Sequence, residues 1–556
     1  MLPTWLPKSI LLLRDYSVRK FIADLIAGIT VGLVALPLAM AFSISSGLPP
    51  QAGIYCAVVT GFLISVLGGS KTQIGGPTGA FVVVVAGIVA KFGVDGLFMC
   101  TMMAGVLLVA LGITGMGSAV KFIPRPIVVG FTNGIALLIA STQLKDFFGL
   151  RVEKVPGEFL GRLQTLAAHW NTFSPVETAV AASTLAALIL ARKFIPQIPG
   201  AIIALFGGTL VVALLKLPVE TIGTRFGGIP SGMPSLVLPA VRFDLVRHLL
   251  PSAVTVAMLG AIESLMSATV ADRLSNDKHN PNTELVGQGV ANIVSPLFGG
   301  LPATGAIART ATNIRSGAQT PVAGIIHSLV LLVILLAAAP LAAHIPLAIL
   351  AAILLMVSYN MGEWAEIPEL LKLTRSEIVV WLVTFALTVF ADLTLAVEVG
   401  MILATLLFIR NVTQTTTVSE VTDDYIERGR KHSLQDKDIP DFARVFRIHG
   451  PFLFGSTDKI DDIVDRVEDL PPIVVLRLRN MTAIDATGLA AFEELADKLH
   501  EAGRTLILCG AREQPARLMR QAEFERHVGA ENICPNVERA LTRAREVYTR
   551  HPAASQ

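Results

Sequence analysis

Residues 74–81 read IGGPTGAF and residues 300–310 read GLPATGAIART. Both put glycine, proline and threonine next to long apolar runs. QAGIYCAVVTGFLISVLGG precedes the first, and VVVVAGIVAKFG follows it. Extended backbone exposed to lipid leaves amides without partners, so such a break has to face protein or a water-filled cavity. A helix that starts there presents free N–H groups and the positive end of its dipole. The shared core, PTGA against PATGA, decides the reading of the fold.

The rest of the chain sets the environment. Of its 556 residues 53% are hydrophobic and 16% charged, whereas a soluble domain carries about 25% charged residues. From about Asp24 to Arg410 apolar runs alternate with short polar breaks, and from about Val418 the charge density is that of an ordinary soluble domain. This is the pattern of a polytopic α-helical membrane protein with a soluble tail. A crossing helix needs about 20 apolar residues. Full-length candidates fall at 22–43, 51–68, 97–119, 125–143, 176–194, 199–217, 251–271, 320–339, 343–359, 377–392 and 395–410, with shorter ones at 77–91, 284–300 and 305–316. Fourteen spans return both termini to one side. Roughly fifteen Lys/Arg, Arg14, Lys71 and Lys121 among them, against roughly nine opposite, make that side the cytosol and the membrane the cytoplasmic one. The N-terminus, MLPTWLPKSILLLRDYSVRK, has no small-residue cleavage site and does not read as a signal peptide.

The two motifs open the third and the tenth spans. Seven spans separate them, so the halves run in opposite directions: 14 spans as a 7+7 inverted repeat. Short Gly/Pro-interrupted spans at matching positions of such a repeat mark a transporter binding site. Two half-helices aiming their N-termini at each other form an anion cradle near the midplane. Thr78 and Thr304 offer hydroxyl donors beside it, and Gly79 and Gly305 let a ligand approach the backbone. Close helix packing through small residues explains a single such motif, but not a matched pair in inverted halves.

Glu263 lies in VTVAMLGAIESLMSATVA, the eighth span, which has no other charge before Asp272. A carboxylate there is a functional candidate by default, with a structural ion pair as the alternative. Ser267 follows one turn later on the same face. Arg309 lies about one turn into the tenth span, where it either faces the anion or neutralises Glu263. Asp392 and Glu398 flank the turn between the last two spans and read as solvated loop charges.

With these residues in hand, the chain resembles the SulP sulfate-permease family of anion transporters over nearly its whole length. PQAGIYCAVVTGFLISVLGGSKTQIGGP, residues 50–77, carries the family's proline, Gly-apolar-Tyr, GGSK and final GP. The resemblance implies a core of spans 1–4 and 8–11 moving against a gate of spans 5–7 and 12–14 in an elevator-like manner. It implies an anion at positions matching Thr78, Gly79, Ala80, Ala308 and Arg309, and, in members with a sodium site, a cation at positions matching Glu263 and Ser267. It also implies a homodimer. Many members carry Gln or Glu after the LP of the first span, where LVALPLAMAF has Leu38. LGAIESLMSA, ELVGQGVANI and GAIARTATN look closest to bacterial members that carry C4-dicarboxylates.

The tail supports the same resemblance. RVFRIHGPFLFG reads as two strands, PPIVVLRLRN and TLILCGA as one each, and DATGLAAFEELADKLHEAG as a capped amphipathic helix. Alternating strands and helices make a small α/β layer domain, similar to a STAS domain. At the turn where related anti-sigma factor antagonists carry a phosphorylated serine, this chain has Asp485-Ala486-Thr487-Gly488, and Thr487 reads as a helix cap. The expected organisation is a cytosolic segment at 1–20, a transport domain at 21–411, a linker at 412–439 and the STAS domain at 440–550.

Other chemistry is poorly represented. LGGSKT lacks the glycine that precedes a P-loop lysine. Asp277, His279 and His327 have no metal-ligand spacing, and the four cysteines form no CxxC pair and read as packing residues. No catalytic triad or nucleotide loop is present, so no enzyme, cofactor, metal or nucleic-acid partner is expected. The reading is a secondary active carrier of a small oxyanion (C4-dicarboxylate, sulfate or bicarbonate), with H+ favoured over Na+ as the coupling ion. A sodium symporter or an anion exchanger is the alternative within this class. An anion-sensing membrane scaffold signalling through the tail is the alternative from another class.

Overall fold

The computed structural model describes residues 6–13, 16–117, 124–152, 155–195, 199–230, 232–236, 242–391, 393–421 and 439–550. Arg14, Lys121, Asp392 and most of the expected linker lie outside these. The chain divides into two compact units, Met1–Ile402 and Leu403–Gln556.

The first unit is helical. Its main helices are α1 (Val18–Ser45), α2 (Pro50–Leu67), α3 (Gly79–Ile113), α4 (Arg125–Phe147), α5 (Pro175–Phe194), α6 (Gly200–Leu215), α7 (Val246–Ser275), α8 (Pro281–Val294), α9 (Ile307–Arg315), α10 (Val322–Ala342), α11 (Leu347–Met361) and α12 (Arg375–Phe390). A further helix, α13 (Leu393–Gln414), crosses the division between the units. Every one of the fourteen expected spans is helical. Among the described residues eight helices are long and apolar enough to cross a membrane by themselves. Large exposed side chains on α6, such as Phe206, Leu210 and Leu214, are those of a lipid-facing helix.

The third and fourth spans, together α3, are two helices joined without a loop at a kink on Gly93, where φ is 74° and ψ is −176°. That backbone region is essentially reserved for glycine. Helices α1, α2, α3, α7, α8, α9 and α10 pack mainly on one another, whereas α4 packs on α11 and α12, and α5 on α6 and α11. α3 approaches α8 closely. A Cβ on Gly105 would sit 2.6 Å from the Gly289 carbonyl oxygen, and one on Gly289 equally close to that of Gly105. Only glycine permits that separation.

Two-residue strands join the halves. β1 (Gly75–Gly76) pairs antiparallel with β2 (Thr304–Gly305), with Gly75 opposite Gly305 and Gly76 opposite Thr304. The Ala306 amide extends the pairing to the Ile74 carbonyl at 2.8 Å. The motifs that break the helical pattern therefore satisfy each other's backbone groups, as a membrane interior requires.

The second unit holds a five-stranded sheet in the order β3 (Thr417–Glu420), β4 (Ala443–Phe452), β5 (Ile473–Ile484), β6 (Thr505–Cys509), β7 (Ile533–Cys534). β3 is antiparallel to β4 and the other pairings are parallel. Helices α14 (Ala486–Glu501) and α15 (Glu513–Gln521) share a core with Phe446, Val474 and Leu476, while α16 (Val537–Tyr548) covers Val445, Val475 and Ile507. Three details correct the reading of the sequence. RVFRIHGPFLFG forms one strand with shifted register, relaxed at Gly450 with φ 92°, and not two. β3 has too short an alternating pattern to stand out. The helix cap is Asp485, which accepts from the Gly488 amide at 2.8 Å, while Thr487 is exposed within the first turn. All four cysteines are buried, and burial pushes the Cys509 thiol up to about 12, as a packing role requires.

Candidate anion-binding site

The strand crossing aims two helix starts at one region. Thr78 precedes α3, but its side chain caps no amide of that helix. Its hydroxyl instead donates to Glu263 Oε2 of α7 at 2.8 Å. Ala306 precedes α9 and has no side chain able to cap. The first-turn amides of both helices, at Gly79 and Ala80 and at Ile307 and Ala308, are thus left without a side-chain acceptor. Ala308 is exposed and Thr78 and Glu263 are half-buried, so the region between the helix starts is accessible. The far wall at Gly79 is apolar. A Cβ there would meet Ile139 of α4, Met361 of α11 and Phe42 of α1 between 3.0 and 3.4 Å.

Arg309, the third residue of α9, is 2% exposed. Its Nη2 donates to the Pro77 carbonyl oxygen, one residue before Thr78, while Nη1 has no protein partner. It makes no ion pair with Glu263, which accepts from Thr78. Of the two roles expected for Arg309, neutralising Glu263 by contact is therefore not adopted. The guanidinium adds a positive charge beside the start of α3, and a Cβ on Gly76 would strike it at 2.6 Å.

Three expected residues are held elsewhere. Thr304 is fully buried, and its hydroxyl donates to the Gly260 carbonyl at 3.0 Å and meets Ser264 Oγ at 2.8 Å. Gly305 is bonded to the same serine, through its amide at 3.2 Å. These bonds fasten β2 to α7 and commit the Thr304 hydroxyl to that helix. The Ser267 hydroxyl donates to Thr310 Oγ1 at 3.1 Å, and Thr310 accepts the Ile74 amide at 3.0 Å. Ser267 is turned to α9 and β1 and forms no pair with Glu263. Thr78, Gly79, Ala80, Glu263, Ala308 and Arg309 are brought together.

The sequence reading missed a second acid. Glu284 of α8 is fully buried, its Oε2 accepting the Gly69 and Ser70 amides at 2.8 and 3.0 Å. Its Oε1 accepts from Gln73 and Gln288 at 2.9 and 3.0 Å. It thereby holds the loop leading into β1. Asp24 of α1 is also buried, taking the Gln319 and Thr320 amides at 2.7 and 3.0 Å. Both acids stand at the ends of apolar runs, which made them look like interfacial charges. The rule that an acid inside a span marks a site applied to them as well. Among the described residues no group of three or more His, Cys, Asp or Glu could hold a metal ion.

A bundle of membrane helices with a polar site at two facing half-helix starts is built as membrane transport proteins are. The chain belongs to the sulfate permease family, which it matches over residues 21–384, and it carries a STAS domain over residues 434–540. YvdB of Bacillus subtilis (strain 168), provisionally named a sulfate transporter, is 39% identical over 94% of this chain and 97% of its own length. The bicarbonate transporter BicA of a Synechocystis species is 32% identical over 94% of each chain. The fold is that of the murine anion transporter Slc26a9 solved in its inward-facing state, with a TM-score of 0.85 at 17% identity over 97% of this chain and 94% of that one. The leaning toward C4-dicarboxylate members is not supported, since these curated relatives are named for sulfate and bicarbonate.

Proposed function

We propose that this protein is a secondary active transporter of a small inorganic oxyanion of the sulfate or bicarbonate class. The anion sits between the starts of α3 and α9, on the amides of Gly79, Ala80 and Ala308. Arg309 supplies the fixed positive charge and Glu263 the coupling group. The observation that carries this is the pair of uncapped helix starts with a guanidinium beside them that is held in no ion pair. Helix N-termini and a buried cation together favour an anion.

Thr78 links the two functions. While Glu263 is ionised it takes the Thr78 hydroxyl proton as an acceptor. Once protonated, Glu263 can itself donate, and the hydroxyl is free to turn to the anion. Protonation also removes a negative charge from beside the arriving one. A proton suits this geometry better than sodium, because Ser267 is bonded to Thr310 and offers Glu263 no second oxygen. The packing of α1–α3 and α7–α10 as one group, with the site at its border with α4 and α11, supports an elevator-like movement of that core against the remaining helices. The protein works as a homodimer in the cytoplasmic membrane with both termini in the cytosol, in keeping with the even number of spans and the lysine and arginine excess.

The test is uptake of labelled sulfate and of labelled bicarbonate by the purified full chain in liposomes, with and without an inward proton gradient. Glu263→Gln mimics the protonated carboxyl. It is expected to exchange the anion across the membrane and to lose accumulation driven by the gradient. Gradient-driven accumulation by this variant removes the coupling role, and a sodium requirement at constant pH changes the ion.

A further inference from the structure

The Arg309 guanidinium has one nitrogen that its bond to Pro77 does not use. Nη1 is buried without a protein partner and lies against the Gly76 backbone. His327 of α10 approaches the same two-residue strand. It is fully buried, and neither ring nitrogen has a protein partner. A Cβ placed on Gly61 of α2 would lie 3.3 Å from His327 Nδ1 and 3.4 Å from the Gly75 carbonyl oxygen. His327 Nδ1 and the Gly75 carbonyl thus border the same point beside Gly61, and the guanidinium borders Gly76, the next residue of β1. Cys56 of α2 belongs to the same surroundings, but its thiol is committed to the Leu301 carbonyl at 3.2 Å.

A neutral imidazole carries one donor and one acceptor. Buried polar groups in native proteins are almost always hydrogen-bonded, to ordered water where protein does not reach. Two neighbouring groups that lack protein partners are satisfied together by one bridging water. We propose that His327 is a positioning residue for Arg309: through a buried water it restrains Nη1, so that the guanidinium stays on Pro77 and presents its charge to the anion. The imidazole acts in its neutral form, since an imidazolium offers no acceptor and sets a second positive charge beside the first. This inference rests on the anion-site reading above.

The test compares His327→Gln, which keeps neutral hydrogen-bonding groups, with His327→Leu, which does not. Uptake of labelled sulfate and of labelled bicarbonate is measured with the full chain in liposomes. His327→Leu is expected to raise KM about tenfold, the loss of one hydrogen bond to a charged group, with kcat little changed. His327→Gln is expected to restore KM to within about threefold of the parent, since the bridging bond is retained. If His327 only fills space, His327→Leu leaves KM unchanged, and that result overturns the proposal. Arg309→Gln separates the two readings. An unchanged KM there removes the anion site and this inference together, whereas a raised KM beside a normal His327→Leu removes this inference alone. Should the leucine variant fail to fold, a density map of the parent that resolves ordered water decides. Water bridging His327 and Arg309 is expected, and its absence from a map showing waters elsewhere in the domain overturns the proposal.

Discussion

The Thr78 hydroxyl ends on Glu263, whereas the Thr304 hydroxyl ends on Gly260 and Ser264. Matching positions of the repeat therefore predict different outcomes. Thr78→Val removes the hydroxyl that a protonated Glu263 frees for the anion, a bond to a charged group of roughly 1.5–3 kcal/mol. It is expected to weaken sulfate or bicarbonate binding by about tenfold or more, read by titration of the reconstituted protein. Thr304→Val is expected to leave that affinity unchanged and to lower the thermal midpoint, because it loosens β2 from α7. Equal loss of affinity in both variants contradicts the arrangement described. Glu284 lies at this scale too. Glu284→Ala strips four donors of their acceptor at about 1–3 kcal/mol each, so a loss of roughly 3 kcal/mol or more is expected in detergent-based unfolding. PTGA and Glu263 were legible in the sequence because both violate the apolar pattern around them. The roles of Thr304 and Ser267 were not, since a hydroxyl follows whichever acceptor the neighbouring helix brings near.

At the scale of elements, α3 carries the most testable feature. Nothing lies within 4 Å of a Cβ on Gly93 or on Gly87, so neither substitution to alanine meets a clash. The two differ in backbone conformation alone. Gly93→Ala forces a side chain into φ 74° and ψ −176°, a cost of about 1–3 kcal/mol. Gly87→Ala replaces a helical glycine and is expected to stabilise by about 0.5–1 kcal/mol. Thermal unfolding of both variants checks this, and opposite signs are the expected result. The spans themselves were legible from length and hydropathy. The sharp kink that joins the third and fourth spans was not, because a lone glycine in KFGV reads equally as a loop and as a bend.

For the whole molecule, every residue assigned to the anion site lies in the first unit, Met1–Ile402. Ending the chain after Gln414 is therefore expected to preserve sulfate or bicarbonate binding by the membrane part while lowering transport or membrane insertion. A truncated protein that inserts but binds nothing shows that the STAS domain contributes to the site. That domain offers no phosphorylatable serine at the turn where its distant relatives are modified, and its exposed Thr487 leaves the capping to Asp485. A structural or assembly role follows more readily than a phosphorylation switch.

Composition and periodicity by themselves determined the membrane class, the number of helical segments, the tail domain and the two half-helix starts. These are one-dimensional properties: apolar length fixes what crosses a bilayer, and a matched break in two inverted halves fixes where helices start inside it. Only the tertiary structure decided what each polar group does there. It set Arg309 on Pro77 and not on Glu263, gave Thr78 to Glu263, and committed Ser267 to Thr310. It also revealed Glu284 and Asp24 as buried acceptors of backbone amides. Hydrogen-bond partners are fixed by distances between helices far apart in sequence, and no local pattern encodes those distances.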